Sequence, residues 1–133
     1  MRYLGIDYGS RRIGMALSDE TGNFAFPHTV LPNKGIARSV EVIALLCTKE
    51  LVGKIIVGRS LNYLGHPNEI MKEIQQFGEE LVLKTDLPVI FEDEFLTSAE
   101  AERLQGKNDQ LDASAAALIL RAYLGRSPVA PKK

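Results

Sequence analysis

An aspartate inside an apolar stretch constrains the fold of this chain more than any other feature. Residues 3–19 read YLGIDYGSRRIGMALSD, and the aspartate is Asp7. Two short runs rich in β-forming residues, 3–8 and 13–18, flank a Gly-Ser-Arg-Arg segment at residues 9–12. A short glycine-containing segment between two such runs predicts a β-hairpin with a tight turn.

The position of Asp7 on the first predicted strand leaves its role open. Side chains alternate along a strand, so Tyr3, Gly5 and Asp7 should share one face. Aspartate is depleted from strands, and an unpaired carboxylate is costly to bury. Asp7 therefore either bonds to turn amides, pairs with Arg11 or Arg12, or belongs to a functional site.

Length and composition predict a single globular domain. The chain has 133 residues, of which 45% are hydrophobic and 25% are charged, with both signs mixed. This size suffices for one hydrophobic core. No apolar run approaches the roughly 20 residues of a membrane span, and no signal peptide is evident, so we expect a cytoplasmic protein. The single cysteine, Cys47, is expected to be a small core residue.

The net charge of −1 does not indicate a general nucleic-acid binder. Such proteins gain much of their affinity from Lys and Arg that neutralise phosphates. Any nucleic-acid contact must therefore depend on local patches of basic residues.

The order of predicted elements is β-β-β-α-β-α-β-α-α, without internal repeats. The third strand should place Phe24, Phe26, His28 and Val30 on one face, and Pro27 favours either a position at the edge of the sheet or a break in the strand. The next elements are a helix from Ile36 to Leu51 ended by Gly53, a strand over 54–58 and a helix from Pro67. A strand over 89–94 follows, and a capping box at 97–100 starts another helix. After a polar loop at 106–110, an Ala-rich helix covers 112–124 and is ended by Gly125.

Acidic residues recur at the ends of these elements. Asp7 lies on the first strand, Asp93 and Glu94 close the fifth, and Asp112 opens the Ala-rich helix. If these carboxylates converge, their repulsion requires a cation, and oxygen ligands favour Mg²⁺ or Mn²⁺. Gly5 offers a small position against which the helix can pack. Taken alone, Asp112 could be no more than a helix cap or a favourable first-turn charge.

Two long motifs give the chain a family resemblance. Residues 4–19 and 112–124, supported by Ile56-Val-Gly58, Leu61-Asn62, Asp93-Glu94 and Leu96-Thr97, resemble the YqgF/RuvX family of Holliday-junction-resolvase-like proteins. The resemblance spans about residues 2 to 125. It implies an α/β, RNase H-like fold, with a five-stranded mixed sheet that combines an antiparallel β1-β2-β3 meander with parallel strands and is flanked by helices. We expect residues 1–126 to form this one domain and residues 127–133 to form a flexible tail.

The resemblance also implies a function and a set of site residues. It suggests a metal-dependent nuclease that matures the 5′ end of pre-16S rRNA with Mg²⁺ or Mn²⁺. Asp7, Glu94 and Asp112 would be the metal ligands, and Asp93 is the alternative to Glu94 in the catalytic set. The residues expected to contact nucleic acid are Arg11, Arg12, Arg59 and Asn62.

The chain departs from the family pattern at two places. Phe95 follows the Asp-Glu pair where the family usually has Arg, and Arg59-Ser60 stands where it usually has Leu-Pro. The lost arginine removes a potential phosphate contact, for which Arg59 offers a replacement charge.

Three other functions remain compatible with the sequence. The same chemistry could act on branched DNA, as in a Holliday junction resolvase. The segment at residues 7–14 also resembles the first phosphate loop of actin- and hexokinase-like ATPases, which would make the protein a nucleotide- or phosphate-binding module. Alternatively, the protein could bind RNA without cutting it.

Overall fold

The computed structural model describes residues 1–61, 71–95 and 109–126. The elements in chain order are β1 (Arg2–Tyr8), β2 (Arg12–Ser18), β3 (Ala25–Pro32), α1 (Ile36–Glu50), β4 (Val52–Leu61), α2 (Met71–Thr85), β5 (Val89–Phe95) and α3 (Asp109–Arg126). The expected helix start at Pro67, the capping box at 97–100, the first part of the polar loop and the tail at 127–133 lie outside the described residues.

The strands form one mixed sheet in the order β3-β2-β1-β4-β5. β1 pairs antiparallel with β2 and parallel with β4, while β5 pairs parallel with β4. The predicted hairpin and the antiparallel meander are confirmed, and β3 lies at the edge, as its proline indicates.

The two faces of the sheet pack against different helices. One face contributes Leu4, Ile6 and Tyr8 to a core completed by α1 and α2. Cys47 is buried in this core, as predicted. Alternating positions such as Ala16 and Ile56 form a second core with α3. α3 therefore covers the face on which strand alternation places Asp7.

Small residues allow α3 to lie close to β1. A Cβ added at Gly5 would lie 2.8 Å from Leu120 Cβ and 3.0 Å from the Ala116 carbonyl oxygen. Any larger residue at position 5 would push the helix away. The predicted match between Gly5 and the Ala-rich helix is confirmed.

The prediction that alternate residues from Phe24 to Val30 share one face of β3 is wrong. Ala16 pairs with Pro27 and Met15 pairs with Thr29, so His28 is an extra residue in the ladder. Such a bulge reverses the alternation, and it occurs next to a proline that has no amide to donate. As a result, Phe26 and Val30 lie on opposite faces.

Several predicted boundaries also move. Leu51 ends α1 in the left-handed conformation with φ 57, and its N–H bonds to the Cys47 carbonyl. The helix stops there because Val52 already pairs with Arg2 of β1, so the expected stop at Gly53 is wrong. β4 continues beyond the predicted strand to Leu61, because β5 pairs with it to its end.

α3 begins before the predicted helix. It starts at Asp109 and runs through Gly125 to Arg126, so Asp112 is its fourth residue and not its N-cap. Among the described helices, none has the length and apolar composition needed to cross a bilayer.

Candidate active site

Asp7 is flanked by a glycine on each of the two neighbouring strands. It pairs with Gly14 on β2 and with Gly58 on β4. Paired residues of neighbouring strands point to the same face, so no side chain from either neighbour stands beside Asp7. The residue is partly buried. The space above Gly58 is filled by α3, because a Cβ added at Gly58 would overlap the Ile119 side chain.

The direction of α3 brings residue 112 to the level of Asp7. The helix runs antiparallel to β1, because Ala116 and Leu120 contact Gly5 while the Tyr123 ring lies 6.1 Å from the Tyr3 ring. Residue 112 is one helical turn before Ala116, a rise of about 6 Å. Asp7 is two strand residues beyond Gly5, a rise of about 7 Å. The backbone thus places the two positions at similar heights on one face; the side chain of Asp112 lies outside the described residues.

Glu92 is a buried acid that the sequence analysis missed. It pairs with Gly58, which in turn pairs with Asp7, so the two acids occupy one row of the sheet. Only 7% of Glu92 is exposed. Alternation along the fifth strand could have indicated this burial. Residues two apart on a strand face the same side of the sheet, and Ile90 packs against the core under α3.

Asp93 lies on the other face of the sheet. Its carboxylate accepts a hydrogen bond of 2.6 Å from Arg59 Nε, and the Arg59 guanidinium carbon lies 4.9 Å from the centre of the Phe91 ring. Phe91 belongs to the core under α1 and α2. The structure thus gives Asp93 a basic partner on the face away from Asp7. Glu94 is paired with Ser60 at the next backbone position, and its side chain lies outside the described residues.

The predicted nucleic-acid contacts are divided among these regions. Arg11 is exposed on the turn after β1, and Arg12 begins β2 and is partly buried. Arg59 is the partner of Asp93. Asn62 lies outside the described residues. The turn is tight, because a Cβ at Gly9 would lie 2.6 Å from the Arg12 carbonyl oxygen.

Tyr8 ties the end of β1 to α2. Its hydroxyl donates to Glu73 Oε2 over 3.1 Å, and its ring packs against Phe77. Burial raises the pKa of Tyr8, a hydrogen bond from the Asn33 side chain lowers it, and Glu73 raises it further. Tyr8 therefore keeps its proton near neutral pH and anchors the strand that carries Asp7.

The described side chains include neither Glu94 nor Asp112, so they give only part of the predicted metal site. Among them, no three His, Cys, Asp or Glu residues come together as a possible metal centre. Burial raises the pKa of the Cys47 thiol to about 11, so this residue is not a catalytic thiolate.

Comparison with known proteins identifies the family. The sequence model of the RuvX family, described as "Holliday junction resolvase", matches residues 1–126. The chain belongs to the RuvX family.

Two curated relatives match the RuvX chain over most of its length. A protein of Syntrophomonas wolfei is 36% identical over 132 residues, covering 93% of this chain and 94% of the relative. One from an Anaeromyxobacter species is 37% identical over 132 residues, covering 93% and 96%. Both carry the name "Putative pre-16S rRNA nuclease". The predicted family membership is therefore confirmed.

Solved structures confirm the expected RNase H-like fold of this RuvX chain. RuvC of Thermus thermophilus in complex with a Holliday junction superposes with a TM-score of 0.60 at 15% identity, covering 93% of both chains. The fowlpox virus Holliday junction resolvase gives 0.57 at 18% identity, covering 94% of this chain and 99% of the resolvase. At these identities the likeness concerns the fold.

Proposed function

We propose that this RuvX protein is a metal-dependent nuclease of the cytoplasm that hydrolyses phosphodiester bonds in the 5′-end maturation of pre-16S rRNA. One observation carries the proposal. Asp7 lies half-buried between two glycines at the carboxyl end of β1, and α3 brings position 112 to the same height. The names of the curated relatives support the rRNA substrate.

Asp7, Glu94 and Asp112 are the proposed metal ligands. They offer only carboxylate oxygens, which suit Mg²⁺ or Mn²⁺. The assignment is supported by alternation along β5, which puts position 94 on the same face of the sheet as Glu92. Asp93 is on the opposite face, where its carboxylate is bonded to Arg59. When bound, a divalent ion would supply activation of water and stabilisation of the leaving oxygen.

The other residues of the site have distinct proposed roles. Arg11 and Arg12 contact the phosphate backbone from the turn that follows Asp7. Glu92 brings a second carboxyl group to the level of Asp7, in the same row of the sheet. α3 covers the face of the sheet beside Asp7, and its packing against Ala16 and Ile56 excludes water from that face.

A cleavage assay tests this function. Purified protein is incubated with Mg²⁺ or Mn²⁺ and a precursor 16S rRNA fragment, alongside the variants Asp7→Asn and Asp112→Asn. We expect cleavage by the wild type and at least a hundredfold loss in both variants. Asp86→Asn is the matched control, because Asp86 has φ 60 after α2, a conformation that asparagine also adopts. Cleavage that persists in both site variants would contradict the proposed mechanism.

Branched DNA is the alternative substrate that the family description favours. A four-way DNA junction in the same assay distinguishes the two. We expect the rRNA precursor to be cleaved at lower enzyme concentration, and preferential cleavage of the junction would assign the protein to recombination.

A further inference from the structure

Asn33 connects the turn of the first hairpin to the start of α1. Its backbone N–H donates to the Arg11 carbonyl over 2.9 Å, and its side-chain Nδ2 donates to the Gly9 carbonyl over 2.8 Å. Its Oδ1 accepts a 3.0 Å hydrogen bond from the Gly35 N–H. One partly buried residue therefore holds two carbonyls of the turn and the chain entering α1.

These bonds determine which way the turn faces. Because a trans peptide directs its C=O and N–H to opposite sides, holding the Gly9 carbonyl towards Asn33 directs the Ser10 N–H away from it. Ser10 and Arg11 are exposed on the turn. The exposed side of the turn is thus held in one orientation, two residues beyond Asp7.

Positive charge and fixed geometry together suit a phosphate backbone. Arginine binds phosphate through a rigid fork of donors, so the gain from the contact depends on where the side chain begins. A mobile turn would lose conformational entropy when it binds, and a turn already held in place loses less. Asn33 supplies that restraint from outside the turn.

We propose that Asn33 is a positioning residue for substrate binding, which holds the turn so that Arg11 and Arg12 meet the phosphate backbone beside Asp7. This inference rests on the proposed nuclease function. It concerns binding of nucleic acid, so it can be tested separately from cleavage.

Two substitutions separate the bonds that Asn33 makes. Asn33→Asp keeps an acceptor for the Gly35 N–H and loses the donor to the Gly9 carbonyl. Asn33→Ala loses both of these bonds, and each variant also loses the hydrogen bond that the Asn33 side-chain amide gives to Tyr8. The backbone bond to Arg11 remains possible in each variant. If only the restraint on the turn matters, the two variants should weaken binding to a similar extent.

The turn between β2 and β3 provides a control for loss of stability without loss of RNA binding. Asp19 accepts hydrogen bonds from Thr21 Oγ1 and from the N–H groups of Asn23 and Phe24, so it holds the turn between β2 and β3. That turn lies at the opposite end of β2. Asp19→Ala should lower stability and leave the KM for RNA within twofold of the wild-type value.

The experiment measures kcat, KM and equilibrium binding to a structured RNA over a range of KCl concentrations. Binding is measured in EDTA, where no cleavage can occur. We expect both Asn33 variants to raise KM and Kd about three- to tenfold and to leave kcat within twofold. The salt dependence of binding should fall by about one phosphate contact, which is about 0.7 to 0.9 in the slope of log K against log[salt].

A double-mutant cycle then shows whether Asn33 acts through the turn. In an Arg11→Ala/Arg12→Ala background, Asn33→Asp should change Kd by less than twofold. A direct repulsion between the new carboxylate and RNA would persist in that background and would overturn the proposal. A Kd unchanged in the single variants, or a wild-type protein that does not bind RNA, would also overturn it. RNA binding without cleavage, with the expected Asn33 effects, would contradict only the nuclease assignment.

Discussion

The Ala116 carbonyl oxygen lies 3.0 Å from the point where a side chain on Gly5 would begin. This contact sets how closely α3 approaches β1, and α3 carries Asp112 towards Asp7. The geometry of the proposed metal site therefore depends on a packing contact one helical turn away from it.

Replacing Gly5 tests that dependence. Gly5→Ala places a Cβ against backbone and against the first atom of the Leu120 side chain, neither of which can rotate away. Overpacking of this kind costs about 1 to 3 kcal/mol, so we expect the free energy of unfolding in urea to fall by that amount. Gly125→Ala is the control, since a Cβ there meets nothing within 4 Å. It should be neutral or slightly stabilising. Equal effects of the two changes would contradict the close packing at Gly5.

Arg121 should hold α3 along the sheet. Its Nε and Nη2 both donate to the Ala25 carbonyl, over 3.1 and 2.9 Å. We expect Arg121→Ala to lower stability by about 1 to 2 kcal/mol, because a charged donor is lost from a partly buried carbonyl. Arg121→Lys keeps the charge but not the paired geometry, so its loss should be smaller. Thermal unfolding followed by circular dichroism measures both, and no loss in either variant would show that the contact is unimportant.

Asp93 and Glu94 should differ sharply although they are adjacent. Asp93 is exposed and paired with Arg59, whereas Glu94 is a proposed metal ligand. We expect Glu94→Gln to lower kcat at least a hundredfold and to weaken Mn²⁺ binding measured by calorimetry. Asp93→Asn should keep kcat within tenfold and change stability by less than about 1 kcal/mol, as is usual for an exposed ion pair. The opposite order of effects would make Asp93 the ligand.

Stability should fall at alkaline pH because of Cys47. Burial raises the pKa of its thiol from 9.0 to about 11, so the folded chain holds the proton more tightly than the unfolded chain. This contribution is fully present below about pH 9 and is lost as the pH rises towards 11. At about 1.4 kcal/mol per pKa unit, wild type should lose about 2 kcal/mol more than Cys47→Ala between pH 8 and 10.5. Urea unfolding of both proteins at pH 8 and at pH 10.5 measures this difference. Equal losses of stability in wild type and Cys47→Ala would contradict the raised pKa of Cys47.

Local patterns sufficed for much of this structure. Alternation along β1 and β2 predicted the hairpin and the face that carries Asp7, and Gly5 together with the run of alanines predicted the close approach of α3. These predictions succeeded because each depends on residues whose spacing along one element determines what they contact.

Other features depend on pairing between distant segments. The bulge at His28 arises from the register between β2 and β3, and the alignment of Glu92 with Asp7 depends on the pairing of both residues with Gly58 of β4. The role of Asn33 requires a turn 22 residues earlier to lie beside it, with the Arg11 carbonyl as its partner. No periodicity within one segment carries that information.

Manganese binding tests the central claim most directly. A crystal soaked in Mn²⁺ should give anomalous density within about 2.5 Å of an Asp7 carboxylate oxygen, with Asp112 on the other side of the ion. The same soak of Asp7→Asn should give much weaker density at that place. If wild-type crystals contain no ion there, and the carboxylates of Asp7 and Asp112 lie more than about 10 Å apart, the two residues do not form a metal site.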